Sequence, residues 1–243
     1  MHRFFIPPDW VQGQEARLEG LQARQIDKVL RGRRGDRLTL LDDSGWEYLV
    51  EVLAVSDSIV QARVLERKPA PPEPCLNVTI YQGLLKGKKL DWVFQKGTEI
   101  GVTAFVPLLC DRCVALPSEE RLGQRWASIV KEAAEQCGRG RLPRLFAPSP
   151  FRQACVNAAK PSFLLNELPG APGFRDTLRR TLGNRPVQAS IFVGPEGGFA
   201  PHEVSYAESC GILPVSLGTR IFRAETAGLV ATTMLLYEFG DLG

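Results

Sequence analysis

The chain has 243 residues, enough for one large domain or two modest ones at ~100–200 residues per domain, and its 44% hydrophobic and 23% charged content is that of a packed globular protein. That balance excludes a disordered tail, a collagen-like repeat and a coiled-coil rod. Thirty Lys and Arg against 27 Asp and Glu leave only +3, which excludes a highly basic chromatin-type binder while leaving room for a local basic face.

The charge is unevenly spread. Residues 1–75 carry 11 basic and 12 acidic groups, residues 76–150 carry 11 and 7, and residues 151–243 carry 8 and 8. A polyanion is expected to meet the middle third first. No apolar run approaches the ~18 residues of a membrane span, and the apolar stretch in Met1–Pro8 is too short for a signal peptide, so the expected location is cytoplasmic. The cysteines at 75, 110, 113, 137, 155 and 210 are expected to be reduced thiols. Only Cys110 and Cys113 have metal-like spacing, and with His2 and His202 as the sole histidines no metal site is expected.

In chain order, Gln22–Leu30 reads as a helix, and Arg37–Leu41, Trp46–Val52 and Ile59–Glu66 read as short strands, with Asp42-Asp43-Ser44-Gly45 as a hairpin turn. Four prolines between Pro69 and Pro74 favour an extended connector. The boundary falls near residue 70, with one domain over 1–70 and another over 71–243. Beyond it come a strand at Asn77–Leu84, a helix marked by Leu90, Val93, Phe94 and Ile100, and a strand at Phe105–Leu109. A long helix follows, with Leu122, Trp126, Ile129, Val130, Ala133 and Cys137 on one face. Strands at Ser162–Leu165, Ala189–Val193 and Leu213–Leu217 precede a final helix over Glu225–Phe239. Alternating strands and helices predict an α/β fold with a largely parallel sheet behind a small, mostly β module.

Three stretches carry candidate chemistry. Ile191–Phe199 is a buried-type strand running into Gly194-Pro195-Glu196-Gly197-Gly198, with Pro201 and Glu203 opening a helix. Ligands bind at such strand ends, where missing Cβ atoms admit them to the backbone. The loop matches neither a dinucleotide nor a nucleoside-triphosphate fingerprint, and a simple tight turn also satisfies its glycines. Ser216–Ala227 again follows an apolar strand and concentrates Arg220, Arg223, Glu225 and two threonines. Helix capping accounts for part of it, and a second wall of one pocket accounts for the whole. In Lys131–Arg144 a helix ends at Gly138 and Arg139, Arg141 and Arg144 follow. One cation complements the helix dipole, whereas three forks suit a phosphodiester backbone.

Taken together, Phe94-Gln95-Lys96-Gly97-Thr98-Glu99-Ile100-Gly101-Val102, Glu135-Gln136-Cys137-Gly138-Arg139, Gly194–Gly198 and Leu217–Ala227 resemble the RsmE-type 16S ribosomal RNA uridine-N3 methyltransferases. The resemblance spans nearly the whole chain, including Arg3-Phe4-Phe5 and Val29-Leu30-Arg31. It implies a PUA-like β-barrel over 1–70, with RNA-binding duty, and a SPOUT methyltransferase domain with a trefoil knot over 71–243, although general topology rules disfavour knots. It further implies a homodimer that binds S-adenosylmethionine and methylates one uridine, position 1498 in the usual numbering, of the assembled small subunit.

By motif, the cofactor falls to Gly194, Pro195, Glu196, Gly197, Gly198, Leu217, Gly218, Ile221, Phe222 and Arg223, joined by Leu165, Asn166 and Glu167 of a less uniform segment. Arg223 and Glu225 are the catalytic candidates, the arginine for negative charge on the uracil oxygens and the carboxylate for the N3 proton; a capping glutamate beside a helix-end arginine fits the same pair. Arg3, Arg31, Arg112, Arg139 and Arg141 are the expected phosphate grips, and Leu229, Thr233, Leu236 and Tyr237 the expected dimer face. Phe222 and Ala224 stand where the family commonly has leucine and threonine, and the histidine often found near Arg24-Gln25-Ile26 is missing. A transfer-RNA substrate or a non-catalytic assembly factor are the rival expectations.

Overall fold

The protein is described by a computed structural model covering residues 1–56, 58–114, 119–167, 170–181 and 187–242. Its chain sorts into two units, Met1–Glu73 with Lys131–Leu142, and Pro74–Val130 with Pro143–Gly243.

The first unit is built on strands β1 (Arg3–Phe5), β2 (Val11–Gln12), β3 (Glu15–Glu19), β4 (Arg37–Leu41), β5 (Trp46–Val55) and β6 (Ile59–Pro69). They form one curled sheet in the order β1-β4-β5-β6-β3-β2, in which only β1 and β4 run parallel. Strand β3 shows why it forms: Ala16 and Leu18 are buried while Glu15 and Arg17 are exposed, the period-two pattern of a half-buried strand. Leu18, Leu40, Val50, Val52 and Val60 meet beneath Phe4 and Ile26 as the core. The β4–β5 hairpin closes on Asp43 (φ +61°) and Gly45 (φ +99°), with the Asp42 carboxylate accepting from the Ser44 N–H at 2.9 Å and the Tyr48 hydroxyl at 2.9 Å.

The expected single helix at 22–30 is instead helix α1 (Gly20–Arg24) continuing as π-helix over Gln25–Val29. The wider turn takes the Leu30 N–H back to the Gln25 carbonyl while Ala23 and Ile26 stay buried. Segment Lys131–Leu142 belongs here because Ala134 packs with Phe5 and Leu41, and the Glu135 carboxylate accepts the Phe5 N–H at 2.8 Å.

In the second unit the strands are β7 (Asn77–Gly83), β8 (Ala104–Leu109), β9 (Arg144–Leu145), β10 (Ser149–Pro150), β11 (Ser162–Leu165), β12 (Gln188–Val193) and β13 (Leu213–Val215). Helices α2 (Lys89–Ile100), α3 (Glu119–Cys137, of which the part from Lys131 belongs to the first unit), α4 (Phe151–Asn157), α5 (Phe174–Thr181), α6 (Pro201–Ser209) and α7 (Ala224–Glu238) alternate with them. All pairings are parallel, in the order β10-β8-β7-β12-β11-β13 with β9 beside β8.

Successive residues feed opposite faces. Ile80, Phe163, Ile191 and Val193 pack with Val93 and Phe94 of α2 and Leu235 of α7, whereas Tyr81, Leu164 and Phe192 pack with α4 and α6. A sheet covered on both sides reads as continuous apolar strands, as the sequence does here. Within α3, Trp126, Val130 and Ala133 are buried and Ile129 partly so, but Cys137 is exposed; the Leu122 side chain lies outside the described part.

Helix α7 corrects the expected dimer face. Leu229 and Leu236 are buried within the chain's own fold, because α7 is covered by α2 on one side and by β7 and β12 on another, and only Thr233 and Tyr237 of that set are exposed. Among the described residues no helix is long and apolar enough to cross a membrane.

Candidate functional site

At the carboxyl ends of β11, β12 and β13 the loops enclose a cavity of about 820 Å³. The β12 strand delivers Val193 into the glycine loop, which doubles back as the Gly198 N–H bonds the Pro195 carbonyl at 2.8 Å. Gly194 is closely faced by the loop's own backbone: a Cβ there would lie 3.0 Å from the Gly198 backbone carbon. Gly83, at the end of β7, is tighter still, since its Cβ would lie 2.5 Å from the Pro195 nitrogen. Buried Gln82 donates to the Gly194 carbonyl at 3.3 Å and holds the loop from beneath. Glu203, nearly fully buried, accepts the Ala200 N–H at 2.8 Å and the Asp111 N–H at 3.1 Å, securing the start of α6.

The second wall follows β13. Gly218 turns at φ +119° while its N–H bonds the Ser216 hydroxyl at 3.2 Å, and the chain then reaches Arg223, which caps α7 with its carbonyl. Leu217 and Phe222 lean on the hydrophobic core while Ile221 is exposed at the mouth.

Charge gathers where the walls meet. Lys89, the first residue of α2, donates to Glu196 Oε1 at 2.9 Å and stands 4.0 Å from Glu225 Oε2. Partial burial pulls the Glu196 carboxyl upward, but hydrogen bonds from Lys89 and from the backbone at Glu196 and Lys86 leave it below the usual glutamate value. The Glu196 hydrogen bond conversely raises Lys89. Glu225 is held at 14% side-chain exposure, and its Oε2 is buried and accepts no hydrogen bond from the described residues. Arg223, 83% exposed, stands 4.0 Å from Glu225 Oε1.

All thirteen residues expected at the cofactor line this cavity: Leu165, Asn166, Glu167, Gly194, Pro195, Glu196, Gly197, Gly198, Leu217, Gly218, Ile221, Phe222 and Arg223. The catalytic candidate Glu225 joins them. Arg112, expected on RNA, also lines it and donates to the Gly197 carbonyl at 2.7 Å. The other expected phosphate grips lie in the first unit. Arg31 is exposed at φ +53°, Arg3 pairs with Glu47 at 2.7 Å, Arg139 pairs with Glu73 at 10% side-chain exposure, and Arg141 donates to the Ser44 carbonyl at 2.6 Å.

Lys89 and Gly83 were not singled out in the sequence. Lys89 had a signal: a cation at the first position of a helix opposes the macrodipole and calls for a compensating carboxylate. Gly83 had none, because its necessity is a close approach between segments 112 residues apart. Among the described residues, no group of three or more His, Cys, Asp or Glu is placed to hold a metal ion.

Fold and cavity define an α/β domain with its binding site at the carboxyl ends of a parallel sheet, in a chain that also holds a small curled β unit. Residues 71–236 match the model of the RNA methyltransferase domain. The ribosomal RNA small subunit methyltransferase E of Synechocystis is 35% identical over 96% of this chain and 77% of its own length, and that of Bacillus subtilis is 32% identical over 98% and 97%. The crystal structure of the Neisseria gonorrhoeae ribosomal RNA small subunit methyltransferase E bound to S-adenosyl methionine superposes with a TM-score of 0.90 at 30% identity, covering 100% of both chains. The chain therefore belongs to the RNA methyltransferase family and groups there with ribosomal RNA small subunit methyltransferase E.

Proposed function

We propose that the chain is an S-adenosylmethionine-dependent methyltransferase of small-subunit ribosomal RNA that modifies N3 of a single uridine, position 1498 in the usual numbering, in the cytoplasm. The observation that carries this is the cavity itself, which draws residues from three separate strand-end loops into one site. Its volume lies within the ~300–1,000 Å³ of small-molecule pockets. Leu217 and Phe222 offer apolar walls to an adenine ring, and Glu167, Glu196 and Glu225 offer negative charge to a sulfonium. S-adenosylmethionine, when bound, supplies an electrophilic methyl group.

The chain's own residues do the rest. Uracil N3 carries a proton at neutral pH, and Glu225 Oε2, buried and free of hydrogen bonds from the described residues, accepts it. The exposed Arg223 guanidinium stabilises the negative charge that develops on the uracil oxygens. The 1–70 module serves as an RNA-binding domain beside the 71–243 methyltransferase domain. Arg31, Arg112 and Arg141 grip phosphates; Arg3 and Arg139 take a smaller share, since Glu47 and Glu73 already engage them. A second copy docks on α2 and α7, where Trp92 and Tyr237 are exposed side chains on packed helices.

Transfer of labelled methyl groups to purified small subunits, free 16S RNA and transfer RNA tests this function. Label at uridine N3 of small-subunit RNA is expected. Label only in transfer RNA, or none in any substrate, overturns the assignment.

A further inference from the structure

We propose that Lys89 is a positioning residue for the methyl transfer, tying the glycine loop to the head of α7 by bonding Glu196 and standing beside Glu225, a role that rests on Glu225 acting as the base. Three elements distant in sequence converge on its ammonium: α2 supplies the lysine, the loop after β12 supplies Glu196, and α7 supplies Glu225. The lysine occupies the first position of α2, where the helix dipole repels a cation. Two carboxylates from outside the helix offset that repulsion.

The two acids are held differently. Glu196 Oε1 accepts both the Lys89 ammonium at 2.9 Å and the Lys86 N–H at 3.1 Å, which fixes its orientation. Glu225 Oε2 stands 4.0 Å from Lys89, beyond hydrogen-bond reach but well within electrostatic reach. Lys89 therefore stands beside that carboxylate without occupying the oxygen that must take a proton. The charged groups on the same cavity wall are Arg112, Arg220, Arg223, Glu167 and Glu196, so Lys89 is one of four cations there and the one set between both acids.

The test is single-turnover methyl transfer to small subunits by Lys89→Met, Lys89→Arg, Glu225→Gln and the double variant, with S-adenosylmethionine affinity from calorimetry. Lys89→Met is expected to slow transfer about tenfold or more, because a loop and a base that drift from their productive geometry cost rate. Lys89→Arg should restore most of the rate. On the Glu225→Gln background, Lys89→Met should cost less than about twofold, since the two residues act through one step. Equal cost on both backgrounds overturns the positioning role. Glu225→Gln at the wild-type rate overturns instead the assignment of the base, so the two failures are distinct. Should Lys89→Met lower the melting temperature, Lys89→Gln carries the same comparison.

Discussion

The Cys110 thiol donates to Cys113, and that hydrogen bond, reinforced by the Cys110 N–H at 3.4 Å from Sγ, lowers the Cys113 thiol to about 7. The same hydrogen bond, with burial, pushes Cys110 far upward. Cys113 is thus the more readily ionised thiol of the pair, and the thiolate is the reactive form. Iodoacetamide is expected to label Cys113 with a midpoint near pH 7 while Cys110 stays unmodified. Mass spectrometry of peptides quenched across pH 5–10 reads the midpoint, and a value at the ordinary ~8.5 would remove the donor role of Cys110. The reaction also bears on the cavity, because Arg112 between the two cysteines bonds the Gly197 carbonyl.

The end of β7 and the glycine loop after β12 form one packed element, and Gly83 is where they touch. A methyl group at Gly83 would sit 2.5 Å from the Pro195 nitrogen, a backbone atom that a rotamer change cannot move aside. Gly83→Ala is therefore expected to displace the loop and weaken S-adenosylmethionine binding by about tenfold, near 1.4 kcal/mol, with overpacking costing about 1–3 kcal/mol of stability. Calorimetry giving wild-type affinity in a folded Gly83→Ala would show that the loop shape is not what binds. Gly197→Val is milder, because its nearest neighbour, the Arg112 Cβ, would stand at 3.2 Å rather than 2.5 Å and the Arg112 Cδ at 3.4 Å can turn aside.

This contrast marks what the sequence made legible. Strands β4, β8, β11 and β12 were readable because their apolar runs are continuous or alternate cleanly, and the two loops were readable because glycine and charge cluster locally. Helices α4 and α5 were not: α5 buries only Phe174, Thr177 and Leu178 among its residues, too few to show a period. Gly83 and Lys89 act on partners more than 100 residues away, a distance at which local pattern carries no signal. The N-terminal strands β1 to β3 are short enough that tertiary pairing, not propensity, decides them.

Across the whole molecule, a net charge of +3 is too small to draw the chain to a polyanion, so attraction must come from local surplus. The stretch from Arg24 to Arg37 exposes Arg24, Lys28, Arg31, Arg33, Arg34 and Arg37. It holds only Asp27 and Asp36 against these six cations, a local surplus of four that exceeds the charge of the entire chain. Asp36 engages its own loop, accepting the Arg33 N–H at 2.7 Å. The first unit thus carries a basic loop that the distribution by thirds concealed, because acidic residues elsewhere in 1–75 cancel it. Arginines in this unit consequently divide by what they touch. Arg31→Ala is expected to weaken binding to 16S RNA and to reduce the slope of log affinity against log salt by roughly 0.7–0.9, one phosphate's worth of counterion release, leaving the melting temperature unchanged. Arg139→Ala should act mainly on stability, because its guanidinium is engaged by Glu73 at 10% exposure; losing a largely buried pair costs on the order of 3 kcal/mol and should lower the melting temperature by several degrees, with the salt slope reduced far less than by Arg31→Ala. Binding titrations at several salt concentrations, paired with thermal melts, measure both. A reduced slope for Arg139→Ala with an unchanged melt would place that arginine on the RNA and return Arg31 to an ordinary solvated surface.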